Sequence, residues 1–468
     1  MNKNKSVRFA ACVAFALAVA AMACAADESE IPEGYRQLWN KELNAAIDAR
    51  IERFRKADAC VEIPVPDGTE VKVVQTESAF RFGCNIFNFD QFGDDRRNAA
   101  YRAEFMPGGL FNAATVPFYW NALEPERGRP RFGREASSEP AYWTTHGGDD
   151  VAWRRPAPDP VLDFLEANGI SAHGHAIIYH KYHPKWSNSE MDGETRWKLY
   201  EGHIAELGKV YGARLAQWDI VNESIKIKSP ADAPVDVASY KNIVQPTNYT
   251  LRSFCAAGHA FPAGVKKCIN GVYVGDNWPA FIAKLVKDGA PIDVIGHQMH
   301  IFSEEELMQV ASGQTVHPNY VSWKPADQIA MFEKYDEIGL PVHVSEITVP
   351  APAKLMSRDD AERLQTRVLR DNYRLWFSWP SVCRITYWNM VDGMGAKSEI
   401  LESGLLRNDM SRKPAYHALW KLVHNDWRTC LTARAVGGKI MFRGFKGRYR
   451  LSWKGADGKE AFRTVDLR

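Results

Sequence analysis

The chain of 468 residues has no basic block. Its 59 Lys and Arg are balanced by 57 Asp and Glu, a formal net charge of +2. Without a cationic stripe, no nucleic-acid partner is expected. Cysteine is scarce, eight in all, and no two stand in a C-x-x-C spacing, which argues against a cysteine zinc site. Beyond residue 25 no apolar run is long enough to cross a bilayer, so no membrane span is expected. What remains is ordinary globular composition, 45% hydrophobic and 25% charged, in a length that suits one large domain plus something small. Fifteen Trp and 17 Tyr make the chain rich in aromatics. Sugar sites use such platforms, but large cores use Trp too, and the count alone decides little.

Residues 1–25 read as a signal peptide. Lys3, Lys5 and Arg8 form a positive start, 9–22 is apolar, and Ala23-Cys24-Ala25 offers a cleavage site. The expected location is therefore secreted, periplasmic or at the cell surface. A lipid anchor at Cys24 is the alternative, for which Ala21 is a poor fit three positions earlier. Processing leaves Cys60, Cys84, Cys255, Cys268, Cys383 and Cys430. Cys255 and Cys268 are the nearest pair and the first candidates for a bridge; buried free thiols are the equal alternative.

Residues 26–80 read as an N-terminal helix, with Leu43, Ile47 and Ile51 at four-residue spacing, followed by a hairpin. In that hairpin Val61, Ile63 and Val65 alternate, Pro66-Asp67-Gly68 turns, and Val71, Val73 and Val74 follow. From 81 to 427 a cadence of eight strands begins: 82–86, 110–115, 172–179, 215–222, 268–272, 293–299, 343–347 and 383–389. Amphipathic helices lie between many of them. One carries Trp197, Tyr200, Ile204 and Leu207, and another starts at the natural N-cap Ser357. This alternation is the signature of an α/β fold, a (β/α)8 TIM barrel. Residues 428–468 alternate again and are expected to pack with the N-terminal hairpin as a small accessory β module.

In such a barrel, chemistry sits at the C-terminal ends of the strands. Trp218-Asp219-Ile220-Val221-Asn222-Glu223 ends an apolar run in a carboxylate, and Val342-His343-Val344-Ser345-Glu346 does so again. A carboxylate in a buried strand end is costly without a task or a partner. Two of them are the raw material for two-carboxylate glycoside hydrolysis. The bland alternative is a pair of glutamates in strand-end ion pairs. His180 closes the third strand, His300 follows the sixth and Trp388 closes the eighth, and five apt residues at corresponding ends are harder to dismiss than one.

Several stretches carry a family likeness. Gly174-His175-Ala176-Ile177-Ile178-Tyr179-His180, running on to Pro184 and Trp186, resembles G-H-x-x-x-W-H…P-x-W; Trp218 to Glu223 resembles W-D-V-V-N-E. Ile295-Gly296-His297-Gln298-Met299-His300, Val344-Ser345-Glu346-Ile347, Ile385-Thr386-Tyr387-Trp388 and Lys413-Pro414-Ala415-Tyr416 add four more matches in order. Together, over about residues 80–425, the chain resembles the family-10 glycoside hydrolases, the endo-β-1,4-xylanase family. The resemblance implies a retaining mechanism on a polysaccharide or oligosaccharide, xylan-type by family default, with no cofactor and no metal. Glu223 would be the acid/base and Glu346 the nucleophile, with carboxylates about 5–5.5 Å apart. Asn222 would bind the sugar 2-hydroxyl and His300 would orient Glu346. Gln298 and His180 would line the glycone site, and Trp388 would floor it. Glu223 would need a raised pKa from a partly apolar setting, and Glu346 would need hydrogen-bond donors.

The departures fall on the substrate side. The second strand, Phe111 to Trp120, is two residues shorter than the family pattern and lacks its glycone-binding Glu, Asn and Lys, although Glu124-Pro125…Gly128 matches. Thr348 replaces the Asp that helps orient the His. Gly271-Val272-Tyr273 replaces D-Y-N, and no Trp follows the eighth strand in Asp392 to Ala396. Tyr119, Phe118 and loop residues Tyr142, Trp143 and His146 are candidates to supply new sugar contacts. Two other functions compete: a non-hydrolytic carbohydrate-binding protein on a glycosidase scaffold, and a related barrel glycosidase of different linkage.

Overall fold

The computed structural model describes residues 31–133, 155–188, 191–225, 235–272, 277–314, 322–395, 402–455 and 458–468. The segment 1–25 with Cys24, and the loop bearing Tyr142, Trp143 and His146, lie outside the described residues.

Eight parallel strands close a barrel: β1 (Arg81–Asn85), β2 (Ala113–Pro117), β3 (Ser171–His175), β4 (Gln217–Asn222), β5 (Lys266–Gly271), β6 (Val294–His300), β7 (Val342–Thr348) and β8 (Val382–Tyr387). Each pairs with the next, and β8 pairs with β1 through Arg384–Arg81 to Tyr387–Cys84. The two-residue strand Ile178–Tyr179 extends the β3 edge along β4. Strands β2, β4 and β7 are buried along their whole length, because one face looks into the barrel and the other is covered by helices. That is why they carry apolar residues on both faces, with the polar residues of β4 and β7 buried among them.

The helices follow from local rules. Asp192 accepts from the backbone of Glu194 and Thr195 at 2.8 Å to start Gly193–Tyr211, and Ser357 accepts from Asp360 to start Arg358–Ser378. The helix Lys41–Arg55 buries Ile47 and Ile51. It lies against Arg358–Ser378, where Arg374 pairs with Asp48 at 2.6 Å.

Val61 lies near the end of one strand, Lys56–Glu62, and the run 71–74 lies in another, Glu70–Ser78, but the two do not form a hairpin. Lys56–Glu62 pairs with Lys439–Phe445, while Glu70–Ser78 pairs with Cys430–Arg434 on one side and Gly447–Lys454 on the other. Glu460–Leu467 completes the larger sheet. Pro66-Asp67-Gly68 is a turn, closed by Thr69 N to Pro66 O at 3.2 Å with Gly68 at φ +83°, but it carries the chain from one sheet to the other. The physical reason is burial. A lone hairpin hides one face poorly, whereas two sheets enclose Val61, Ile63, Val71, Val73, Ile440, Phe442, Tyr449, Leu451 and Trp453 in a common core. The tail therefore supplies both runs with their partners.

The bridge between Cys255 and Cys268 does not form. Both are free thiols, Cys255 exposed on the helix Tyr249–Ala260 and Cys268 buried in β5. Among the described residues no helix is long and apolar enough to cross a membrane.

Candidate active site

Glu223 directly follows β4, at the left-handed φ of +49°. A non-glycine residue there costs about 1–3 kcal/mol and persists only where its surroundings hold it. The hold here is the Glu223 N–H donated to Asn270 O at 2.8 Å. Glu346 lies inside β7 and is 6% exposed. Between the two glutamates stands Gln298 of β6. Its Nε2 is 3.3 Å from Glu223 Oε1 and 2.9 Å from Glu346 Oε1, so these oxygens are separated by at most the sum of the two distances, 6.2 Å. The same nitrogen reaches Asn222 Oδ1 at 3.3 Å.

Glu346 is surrounded by donors. Asn270 Nδ2 donates to its Oε1 at 2.6 Å, and His300 Nε2 lies 3.1 Å from its Oε2. A carboxylate can only accept, so His300 donates from Nε2, and its Nδ1 shares a hydrogen bond with the Thr348 hydroxyl at 2.9 Å. Thr348 thus orients the imidazole without the negative charge an Asp would add. Asn270 is itself positioned by Ser345 Oγ at 2.5 Å and donates to Asn222 Oδ1 at 2.9 Å. Gly296 lets β6 come this close, since a Cβ there would meet Asn270 Oδ1 at 2.5 Å.

A second layer lies beneath. Asp219 Oδ2 is 2.8 Å from His173 Nε2 and 2.7 Å from His175 Nδ1. His175 Nε2 in turn faces the Tyr119 hydroxyl at 3.1 Å and Glu346 Oε1 at 3.9 Å. Burial pushes the Asp219 carboxyl up, but the charges and hydrogen bonds of His173 and His175 prevail and hold it well below the usual range. For His175, burial opposes the charged form, yet Asp219, Glu346 and Glu223 together raise its pKa. Asp219→Ala removes one partner of a fully buried group and is expected to cost about 3–5 kcal/mol, read by urea unfolding at neutral pH. A folded pKa below the unfolded one means this stabilisation is full above about pH 4 and fades as pH falls towards the folded pKa.

The aromatic wall comprises Phe87, Tyr119 and Trp388, with Tyr179 and Tyr182 packed against them. Trp388 meets Phe87 and His175 edge-on at 5.1 and 5.4 Å. Tyr119 packs on Tyr182 at 4.5 Å and carries the Arg155 guanidinium at 4.5 Å over its ring.

Three expectations change. His180, expected to line the glycone site, feels the Glu223 charge but has no hydrogen bond to either glutamate among those seen in the described residues. It is buried edge-on to Tyr179 and Tyr240 at 5.7 and 5.2 Å, and burial with the Lys181 charge pushes its pKa down to about 4. His175, five residues earlier, is the histidine beside Glu346. Phe118 is not a sugar contact: it is fully buried against Tyr211 and Trp218 at 5.3 and 4.5 Å, because residues 118 and 119 point to opposite sides. Thirdly, Glu223 is not in an apolar setting. Lys181 Nζ lies 2.5 Å and the Tyr179 hydroxyl 2.7 Å from its Oε2. Burial raises its pKa, but Lys181 foremost, with Tyr179 and Gln298, brings it below the ordinary value.

Asn270, Tyr179 and Lys181 were available to the strand-end argument. Asn270 lies one residue before the end of β5, a strand without an end residue among the five expected from the sequence, and Lys181 follows His180 directly. Asp219 had a plainer signal, a carboxylate inside a buried strand.

With that geometry in view, the comparisons decide the family. The sequence profile of Glycosyl hydrolase family 10 matches residues 119–422, more than half of the 468-residue chain. The chain belongs to glycosyl hydrolase family 10. Among its family 10 relatives, "Endo-1,4-beta-xylanase A" of Caldicellulosiruptor sp. (strain Rt8B.4) is 26% identical over 289 residues, 57% of this chain and 38% of that protein. "Endo-1,4-beta-xylanase B" of Thermotoga neapolitana is 24% identical over 279 residues, 58% of this chain and 67% of that one. The match thus spans well under half of the first of these relatives. In fold, native xylanase 10B of Thermotoga maritima superposes with a TM-score of 0.54 at 19% identity, covering 74% of this chain and 96% of that one. The profile match begins at Tyr119, just past β2. This family 10 chain therefore parts from the family's sequence pattern in its first two strands while keeping the barrel.

Proposed function

We propose that this chain is an exported retaining glycoside hydrolase acting on a β-linked, xylan-type polysaccharide. The observation that carries the reading is the single amide of Gln298 bridging Glu223 and Glu346. Its bound of 6.2 Å lies below the separation of about 6.5–9.5 Å that leaves room for a water in inverting enzymes. Glu346, with Asn270, Gln298 and His300 directed at its oxygens, is the group placed to attack the anomeric carbon. Glu223 protonates the departing oxygen and then takes a proton from the water that releases the sugar. Two amides face Asn222 Oδ1, which leaves its NH2 end for the sugar 2-hydroxyl. Trp388 and Tyr119 provide the apolar floor and wall.

Lys181 sets the working pH in this scheme. Glu223 must be protonated to act as an acid, so its pKa governs the descending limb of kcat/KM against pH. Lys181→Met removes the leading influence that lowers that pKa and leaves the burial that raises it. The descending limb should move to higher pH. A pH profile of kcat/KM on a xylan-type oligosaccharide, whose leaving sugar needs the proton, with an unchanged descending limb would show that Lys181 does not couple to the acid.

The test of the reading as a whole is hydrolysis by the mature protein across β-linked polysaccharides, xylan included. Cleavage with retention of anomeric configuration, followed by NMR, is expected. Binding without cleavage would leave the scaffold as a carbohydrate-binding protein.

A further inference from the structure

A second polar cluster shares no residue with the glutamate site. Glu124 caps the short helix Trp120–Leu123 that follows Tyr119, and His203 and Glu206 lie one turn apart on the helix Gly193–Tyr211. One ligand atom from each of the three lies within 4.8 Å of the others. His203 is 4% exposed and stacked on Trp120 at 4.3 Å, and neither of its ring nitrogens has a hydrogen-bond partner. A buried imidazole with both nitrogens unmet is costly, and this one sits between two carboxylates. Glu124 already has one donor on each oxygen, Trp120 Nε1 at 2.7 Å and Gly128 N at 2.6 Å. These fix its orientation and leave a lone pair on each oxygen.

We propose that Glu124, His203 and Glu206 bind a divalent transition-metal ion, with Zn2+ the best chemical match. One imidazole and two carboxylates suit zinc and its neighbours. Calcium and magnesium prefer oxygen ligands alone. The ion's charge balances two carboxylates beside a neutral ring. Glu206 is only partly buried, so water has access to complete the coordination. The ion would clamp the helix Gly193–Tyr211 to the segment that presents Tyr119 to the sugar site, a structural role outside the glycosidic chemistry.

The test uses the mature protein stripped with a chelator, with calorimetric titration of ZnCl2 and Tm as a second readout. One equivalent of Zn2+ should bind and raise Tm, and MgCl2 should not. E206Q, at the solvent-facing ligand, should fold as the parent does and bind Zn2+ more weakly by at least about 10-fold, the low end of what losing even an outer partner of a ligand costs. H203N should lose the Tm response. No binding by the stripped parent, or binding equally tight in E206Q and H203N, would overturn the proposal.

Discussion

Glu346→Gln is expected to abolish turnover, lowering kcat on the order of 10⁶-fold, the scale on which removing a nucleophile acts. The substitution keeps the shape of the side chain but replaces an oxygen that attacks carbon with an amide that does not. It also places an NH2 group among Asn270 Nδ2 at 2.6 Å, Gln298 Nε2 at 2.9 Å and His300 Nε2 at 3.1 Å, all of which donate to a carboxylate. One of the two ends must then face a donor with a donor, so a modest fall in Tm should accompany the loss. The loss should be equal for polysaccharide and for activated aryl glycosides, because the first covalent step fails for both. Steady-state rates on both substrates, with circular dichroism to show that the barrel is intact, check it. More than a hundredth of the parent rate on either substrate would remove Glu346 from the nucleophile's place.

Glu223→Ala should behave differently, and the difference is the informative part. General acid catalysis contributes about 10²–10⁴-fold, so cleavage of polysaccharide, whose leaving sugar needs a proton, should fall by that much. An aryl glycoside with a good leaving group needs no proton, so its first step should be nearly untouched. Without the base, the glycosyl-enzyme should then be slow to break down and give a burst of released phenol. Added azide, which needs no deprotonation, should restore turnover and yield a glycosyl azide of retained configuration. Removing Glu223 also leaves Lys181, 2.5 Å away in the parent, without its anionic partner, and that cation is well placed to draw the azide in. Equal losses on both substrate types, with no burst, would contradict the acid/base role.

The barrel and the strand-end glutamates were legible in the chain because both depend on local pattern. A strand covered on both faces is buried throughout, so β4 and β7 announce themselves by their apolar residues, and Glu223 just past β4 and Glu346 within β7 stand out as carboxylates in that setting. Helix starts at Asp192 and Ser357 are equally local, since each cap answers backbone N–H groups within three residues. Asn222, Gln298 and His300 lie on strand ends too, and the barrel brings them to one place around the two carboxylates.

What could not be read this way depends on partners far along the chain. Runs 61–65 and 71–74 look like a hairpin until strands more than 350 residues later compete for both of them. Cys255 and Cys268 are near in sequence, yet one faces solvent from a helix and the other is sealed in β5. His175 and His180 belong to one motif, and only the path of the chain between β3 and Ile178–Tyr179 turns the first towards Glu346 and the second towards Tyr240. The charge on Glu223 follows the same rule. A residue's pKa is set by whatever lies within a few ångströms, and Lys181, 42 positions away in sequence, lies 2.5 Å away in space. Periodicity reports which face of an element is buried; it carries no information on which side chains from other elements meet there, and in this protein those meetings set the electrostatics of the site.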